Sequence, residues 1–138
     1  MLYALAKAPF DGDPYNFDSD RNLAKKTILV IINAQSEKQA IAALNYEFRN
    51  TIDFRPIIKN AEEYHHAIKK YFCSGIGVKL QNYDSQIALR IVDYFAKKNV
   101  VCLPVHDSFI VVKYHRDELK DIMQQAFGDM FHAKIDVH

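Results

Sequence analysis

The chain has 138 residues, of which 49% are apolar and 25% charged, as expected for one globular domain with a sizeable core. The formal net charge of +1 argues weakly against a dedicated nucleic-acid binder, although a local groove can be basic in a balanced chain. No apolar run approaches the ~18–20 residues of a membrane span. The two cysteines, Cys73 and Cys102, lack CxxC spacing and indicate reduced thiols in a cytoplasmic protein.

The N-terminal part of the chain is predicted to be helical. A short helix is expected over residues 2–7, before Pro9. Asp20 and its neighbours offer N-caps for a second helix, which carries Arg21 and Lys25. The following run, residues 27–32, reads TILVII and favours a strand by propensity. Because a cap precedes this run and no breaker interrupts it, we expect a buried helix.

Three further helices are expected between residues 36 and 98. Ser36 with Gln39 is a capping-box pair that starts one helix, ending near Arg49. Residues 51–58 are predicted to be irregular or a short strand, since they contain a proline. Asn60 would cap the next helix, which Gly75 and Gly77 would end. Its apolar residues recur at i, i+3, i+4, i+7 and i+8, namely Tyr64, Ala67, Ile68, Tyr71 and Phe72. A further helix would begin at Tyr83 or Asp84 and run to about Lys98.

The stretch 100–112, VVCLPVHDSFIVV, predicts a β-hairpin with buried arms and a polar tip. An amphipathic helix is expected over residues 117–127, and residues 132–137 are expected to add a strand beside the hairpin. The sequence therefore predicts an α+β fold, in which five or six helices pack on a small antiparallel sheet centred on the hairpin.

The hairpin tip, His106-Asp107-Ser108, is the first candidate site. A carboxylate placed between two apolar strands is costly unless a cation or a metal ion accompanies it. Asp and Ser also favour ordinary turns, so a plain turn is an equally valid interpretation of the tripeptide.

Two other clusters could carry chemistry. Arg21 and Lys25 are spaced i, i+4, which places two cations on one helix face where an anion such as a phosphate could bind. A polar cluster that includes Gln81, Asp84 and Ser85 lies about twenty residues before the tip. Each cluster also has a plain interpretation, a solvated face for the first and a capped turn for the second. The histidines show no zinc spacing, and no G-x-S-x-G motif indicates a hydrolase.

The order of these pieces resembles the fingers-to-palm region of the single-subunit polymerases, the A-family DNA polymerases and the phage-type RNA polymerases. Their second motif is a helix with Arg-x3-Lys-x7-Tyr-Gly, and this chain has Arg21, Lys25 and then Asn33-Ala34. Their third motif is a hairpin with His-Asp-Glu or His-Asp-Ser-Phe, which residues 106–109 match. The similarity spans roughly residues 21–127. Phage- and plasmid-type proteins with the same HDSFIV hairpin are more similar still.

The resemblance implies metal-dependent nucleotidyl transfer with nucleic acid and a nucleoside triphosphate as partners, and no membrane. Two palm aspartates would hold Mg²⁺ or Mn²⁺, and Asp107 would be one of them. His106 and Ser108 would position the primer end or a water molecule. Arg21 and Lys25 would clamp the triphosphate, with Asn33 at the position that follows. The residues expected near the nucleic acid are Gln81, Asp84 and Ser85.

The chain also departs from the polymerase pattern. The first aspartate motif is absent from its 138 residues, and the Tyr-Gly that ends the second motif is Asn33-Ala34. We therefore expect a single domain, with a fingers-like part (1–58) and a palm-like part (59–138), that is a piece of a longer protein and inactive alone. The missing N-terminal portion or another subunit would be its partner. A non-catalytic module that binds nucleic acid or protein is the alternative.

Overall fold

A computed structural model describes residues 1–106, 108–133, 135 and 137. The chain forms two compact units, Met1–Leu80 and Gln81–His138. In the described residues there are six α-helices and one two-stranded antiparallel sheet, which confirms the predicted α+β class. The division of the chain into fingers-like and palm-like parts after residue 58 stays a prediction.

Unit 1 begins with helices that follow the predicted caps. Helix α1 is Leu2–Ala6, and helix α2 is Arg21–Asn33. The side chain of Asp20 accepts hydrogen bonds from two backbone N–H groups of the first turn of α2, so the cap overrides the β propensity of the TILVII run. Helix α3, Glu37–Glu47, has Ser36 as N-cap, and the side chain of Ser36 accepts from the N–H of Gln39.

The next segment contradicts the prediction for residues 51–58. Helix α4 is Phe54–Tyr64, capped by Asp53, whose side chain accepts from the N–H of Arg55. Pro56 lies in the first turn, where backbone N–H groups have no intrahelical partner, so the proline costs no helix hydrogen bond. Asn60 lies inside α4 and is not a cap.

The helix predicted between Asn60 and Gly75 is wrong beyond Tyr64, because tertiary hydrogen bonds hold the following segment in turns and a short 3₁₀ helix, Lys69–Tyr71. The N–H of Cys73 donates to the carbonyl of Ile31 at 2.6 Å, and the N–H of Gly75 donates to the carbonyl of Ala34 at 2.8 Å. Gly75 has a φ of 72°, a left-handed conformation that suits glycine. The apolar stripe still contributes to the core, since Phe72 is buried.

Helix α5 is Ile76–Lys97, so it begins well before the predicted start at Tyr83 or Asp84. Gly77, expected to end a helix, lies in its first turn. A Cβ atom on Gly77 would come within 2.1 Å of the side-chain oxygen of Asn33, so this position requires glycine for a close approach. The boundary between the units lies within α5.

The core of unit 1 surrounds the buried imidazole of His65. The hydroxyl of Tyr3 lies 2.7 Å from His65 Nδ1, and the carbonyl of Pro14 lies 2.7 Å from Nε2. Because a carbonyl only accepts, Nε2 carries the proton and Nδ1 accepts from Tyr3. Aromatic rings pack around this imidazole, with centroids 5.0 Å away for Tyr64 and 5.4 Å for Phe10.

Unit 2 contains the hairpin and the last helix. Strands β1, Cys102–Val105, and β2, Ser108–Val111, pair antiparallel, which confirms the hairpin. Helix α6 is Arg116–Phe131. Residues 134 and 136 of the predicted C-terminal strand lie outside the described residues. The other four residues of the stretch 132–137 are not in a strand.

The hairpin arms are not buried as predicted, because only one face of the two-stranded sheet is covered. The covered face carries Cys102, Phe109 and Val111, which pack with residues of α5 and α6 such as Ile91 and Leu119. The opposite face is apolar yet exposed, with relative exposures between 44% and 69% at Val101, Leu103, Val105, Ile110 and Val112. Alternation along a strand sends neighbouring residues to opposite faces, so a continuous apolar run cannot show which face is covered.

Candidate functional site

The hairpin tip is a two-residue loop. Val105 pairs with Ser108, so two residues of the chain separate the paired positions, and the structure describes the first of them, His106. His106 has a φ of 51°, in the left-handed region. Asp107 lies outside the described residues, so its predicted metal-binding role stays a prediction.

The backbone of His106 at the tip has the conformation that a two-residue hairpin loop requires. Two-residue hairpin loops prefer Asn-Gly or Asp-Gly, because their central residues need positive φ values. His106 adopts such a value without being glycine, at a cost of order 1 kcal/mol. Six other described non-glycine residues adopt the same left-handed region, so this φ does not by itself mark a functional site. The tip stays the candidate site because its residues match the third polymerase motif.

Beside the tip lies a small cleft of about 140 Å³, called here the tip cleft. Its lining comes from α5 and from the hairpin, namely Asp84, Ile87, Ala88, His106 and Phe109. The structure thus brings together two of the predicted site residues, Asp84 and His106, which were assigned separate roles from the sequence. Both side chains are exposed to solvent.

The start of α5 explains why Asp84 is available. An aspartate at a helix N-cap uses its carboxylate to accept backbone N–H groups. Because α5 begins at Ile76, Asp84 lies inside the helix and not at its cap. Its carboxylate is therefore not used for capping and can serve a ligand.

The tip cleft has a rigid support. Ile87 and Phe109 pack against the buried residues of unit 2, among them Ile91 and Phe95. Tyr83, one residue before Asp84, makes an edge-to-face contact with Phe131 of α6 at 5.4 Å between ring centroids. These contacts fix the helix turn that carries Asp84.

The carboxylate of Asp84 at the tip cleft is of the ligand type that suits a hard cation which keeps most of its water. Magnesium is usually bound by one or two carboxylates together with water and phosphate oxygens, and does not need a complete protein cage. Asp84 supplies one such carboxylate, whereas the imidazole of His106 is a ligand type that zinc, copper, iron and nickel favour. Within the described residues, no group of three or more His, Cys, Asp or Glu side chains could hold a metal ion by itself.

The other residues predicted near nucleic acid lie on the same helix. Gln81 precedes Asp84 by three positions, so the two share one face of α5. Ser85 is the next residue, and all three side chains are exposed.

The predicted triphosphate clamp belongs to unit 1. Arg21 Nε lies 2.9 Å from a carboxylate oxygen of Asp13, and the guanidinium also stacks over Tyr15 at 5.0 Å. Lys25 is exposed and makes no ion pair with another described residue. Asn33 ends α2, and its side-chain amide donates to the carbonyl of Leu29 at 2.8 Å. Arg21 is therefore already paired, and an exposed pair of this kind contributes little stability and can exchange for a phosphate.

Glu118 forms a polar network that the sequence analysis did not identify. Its carboxylate accepts from the hydroxyl of Tyr94 at 2.6 Å and lies 2.6 Å from His115 Nδ1, and it pairs with Lys98. The hydrogen bond from Lys98, followed by those from Tyr94 and His115, lowers the pKa of Glu118 to about 2. The i, i+3 spacing of His115 and Glu118 is the feature of the sequence that could have predicted this pair. This network joins α5 to the start of α6.

Comparison with protein-family models, curated proteins and solved structures gives no match. In the part of the chain that the structure describes, no helix is both long enough and apolar enough to cross a membrane. Cys73 and Cys102 are free thiols, and burial raises the pKa of each.

Proposed function

We propose that this chain is part of the catalytic core of a polymerase-like nucleotidyltransferase that acts on nucleic acid with Mg²⁺ or Mn²⁺. The observation that supports this most directly is the tip cleft, which is lined both by His106 of the hairpin turn and by the carboxylate-bearing Asp84. The resemblance of residues 106–109 to the third polymerase motif supports the same function.

In this proposal each residue has a defined role. Asp107 and Asp84 hold the cation, which activates a hydroxyl nucleophile and neutralises charge on the phosphates when it is bound. His106 and Ser108 orient the primer end or a water molecule. Arg21 exchanges its exposed pair with Asp13 for a triphosphate oxygen, and nearby Lys25 adds a second cation. With one aspartate motif among its 138 residues, the chain is proposed to bind its ligands but not to complete catalysis alone.

Manganese binding tests the metal site. Titration of Mn²⁺ followed by electron paramagnetic resonance is expected to show one site, weakened about tenfold or more by Asp107→Asn and by Asp84→Asn, since each removes a carboxylate ligand. The matched control is Asp121→Asn, which removes an exposed carboxylate from α6, away from the tip cleft. Equal binding by wild type, both site variants and the control would contradict the proposal.

Nucleic-acid binding separates the two candidate functions. For the nucleotidyltransferase, fluorescence anisotropy with a primer–template duplex is expected to show binding that Mn²⁺ strengthens and that Asp107→Asn makes independent of metal. The primer is not expected to be extended by the chain alone. If the wild-type protein and Asp107→Asn bind the duplex equally well with and without Mn²⁺, the result would instead favour the non-catalytic binding module.

A further inference from the structure

The outer edge of β2 borders a second cleft in unit 2, called here the β2-edge cleft, with a volume of about 620 Å³. Phe109, Ile110 and Val111 form one side of it, and Leu119 and Met123 of α6 form its apolar floor. Ile135 and Val137 line it as well. The cleft is therefore bounded by a strand edge and an apolar helix face.

The pairing register shows which main-chain groups of β2 face this cleft. Pro104 pairs with Phe109, and because proline has no N–H, this pair is a non-hydrogen-bonded pair of the ladder. The two kinds of pair alternate in an antiparallel ladder, so Cys102 and Val111 form another non-hydrogen-bonded pair. The N–H and C=O groups of Phe109 and Val111 thus point away from β1. Neither residue makes another backbone hydrogen bond within the described part of the chain.

The two edges of the hairpin are not equivalent. On β1 the corresponding outward positions are Cys102 and Pro104, and Pro104 has no N–H to offer to a further strand. On β2 both outward positions have complete main-chain groups. A further strand can therefore pair fully only along β2, where the cleft lies.

Three cations line the β2-edge cleft, namely Lys113, Arg116 and Lys120. None of them makes an ion pair with another described residue. Arg116 and Lys120 are spaced i, i+4 along α6 and so lie on one face, beside the apolar pair Leu119 and Met123. The cleft combines a positive row with an apolar row next to an open strand edge.

We propose that the β2-edge cleft binds an extended peptide segment of a partner protein, with alternating apolar and acidic residues, as a third strand of the sheet. Main-chain hydrogen bonds to Phe109 and Val111 would hold the segment, and side chains would provide specificity. The four residues of β2 span roughly 13 Å, so a segment of four to six residues matches the edge. A single-stranded nucleic acid fits less well, because such sites stack bases on aromatic rings and this cleft has Phe109 as its single aromatic residue.

The test uses the full chain and a fluorescein-labelled six-residue peptide, Asp-Val-Glu-Ile-Glu-Val, with binding followed by anisotropy. We expect saturable binding that the triple variant Lys113→Glu, Arg116→Glu, Lys120→Glu weakens about tenfold or more. A matched triple variant in unit 1, Lys38→Glu, Lys69→Glu, Lys70→Glu, changes the net charge equally and is expected to bind like wild type. Circular dichroism confirms that both variants are folded.

Two peptide variants test the strand pairing itself. A peptide of the same sequence with alternate backbone nitrogens methylated keeps its charge but cannot pair, and is expected not to bind. In the presence of the unmodified peptide, hydrogen exchange of the Phe109 and Val111 amides is expected to slow. Absence of binding, equal binding by the methylated peptide, or equal loss in both triple variants would overturn the proposal. Tighter binding of a short oligothymidylate at the same cations would also overturn it and identify a nucleic-acid surface.

Discussion

The hydrogen-bonded imidazole of His65 gives the sharpest stability prediction. Tyr3→Phe removes the hydroxyl that donates to Nδ1 across 2.7 Å, and His65 is 2% exposed, so water cannot replace the lost donor. A buried acceptor left without a partner costs about 1–3 kcal/mol, and a neutral hydrogen bond contributes about 1 kcal/mol. Because Tyr3 itself is only partly buried, we expect a loss of about 1–2 kcal/mol in the free energy of unfolding.

The assay is a urea titration monitored through the NMR signal of the His65 ring, which reports unit 1 separately from unit 2. Tyr46→Phe serves as the control, since Tyr46 is 90% exposed and its hydroxyl faces water. The variant should lower the urea midpoint without changing the slope of the transition. Equal midpoints for Tyr3→Phe and Tyr46→Phe would refute the assignment of this hydrogen bond.

The same imidazole makes unit 1 sensitive to acid. Burial lowers the pKa of His65 below its usual value of 6.5. The unfolded chain therefore takes up a proton near that value while the folded ring stays neutral, so the free energy of unfolding falls as the pH falls below about 6.5. In Tyr3→Phe, Nδ1 loses the donor that favours the neutral ring, and the pKa of His65 measured by NMR should rise. A His65 pKa that is not lowered in the wild-type protein would contradict this account.

Three further outcomes are expected. His106→Gly replaces a side chain held at positive φ and should raise the free energy of unfolding, measured by urea titration, by about 0.5–1 kcal/mol. The same variant should weaken Mn²⁺ binding. Unchanged stability would mean that the tip is not strained. The pKa of Glu118 is lowered to about 2, so its contribution to stability is complete above about pH 4.5 and is lost as the pH falls towards 2. In Glu118→Gln, the free energy of unfolding should therefore depend less on pH over that interval. Gly77→Ala should cost about 1–3 kcal/mol because its Cβ would meet the Asn33 side chain, and Asn33→Ala should restore part of that loss in the double variant.

The sequence correctly predicted those helices and strands that are stabilised by residues close together in the chain. The side chains of Asp20 and Ser36 cap helices where the sequence placed them. The hairpin also lies where its apolar runs and polar interruption placed it. Each of these features is set by residues close together in sequence.

Non-local contacts explain the parts that the sequence did not predict. The segment after Tyr64 leaves the helix because Cys73 and Gly75 donate to carbonyls at the end of α2 and at its C-cap, about forty residues earlier in the chain. The link between Asp84 and His106 depends on α5 starting at Ile76 and packing on the hairpin, which periodicity alone does not reveal. Asp107 was identified by resemblance, and its role stays a prediction.

Pro104 also limits how many chains can join through this hairpin. A β-ribbon can grow into a filament only if each molecule has two strand edges that can form main-chain hydrogen bonds, one with each of its two neighbours. Here one edge lacks an amide at its centre, so the sheet can be extended once and then stops. Complexes formed at β2 are therefore expected to have a fixed stoichiometry of one strand per hairpin, even at concentrations where open-edged ribbons would form fibres.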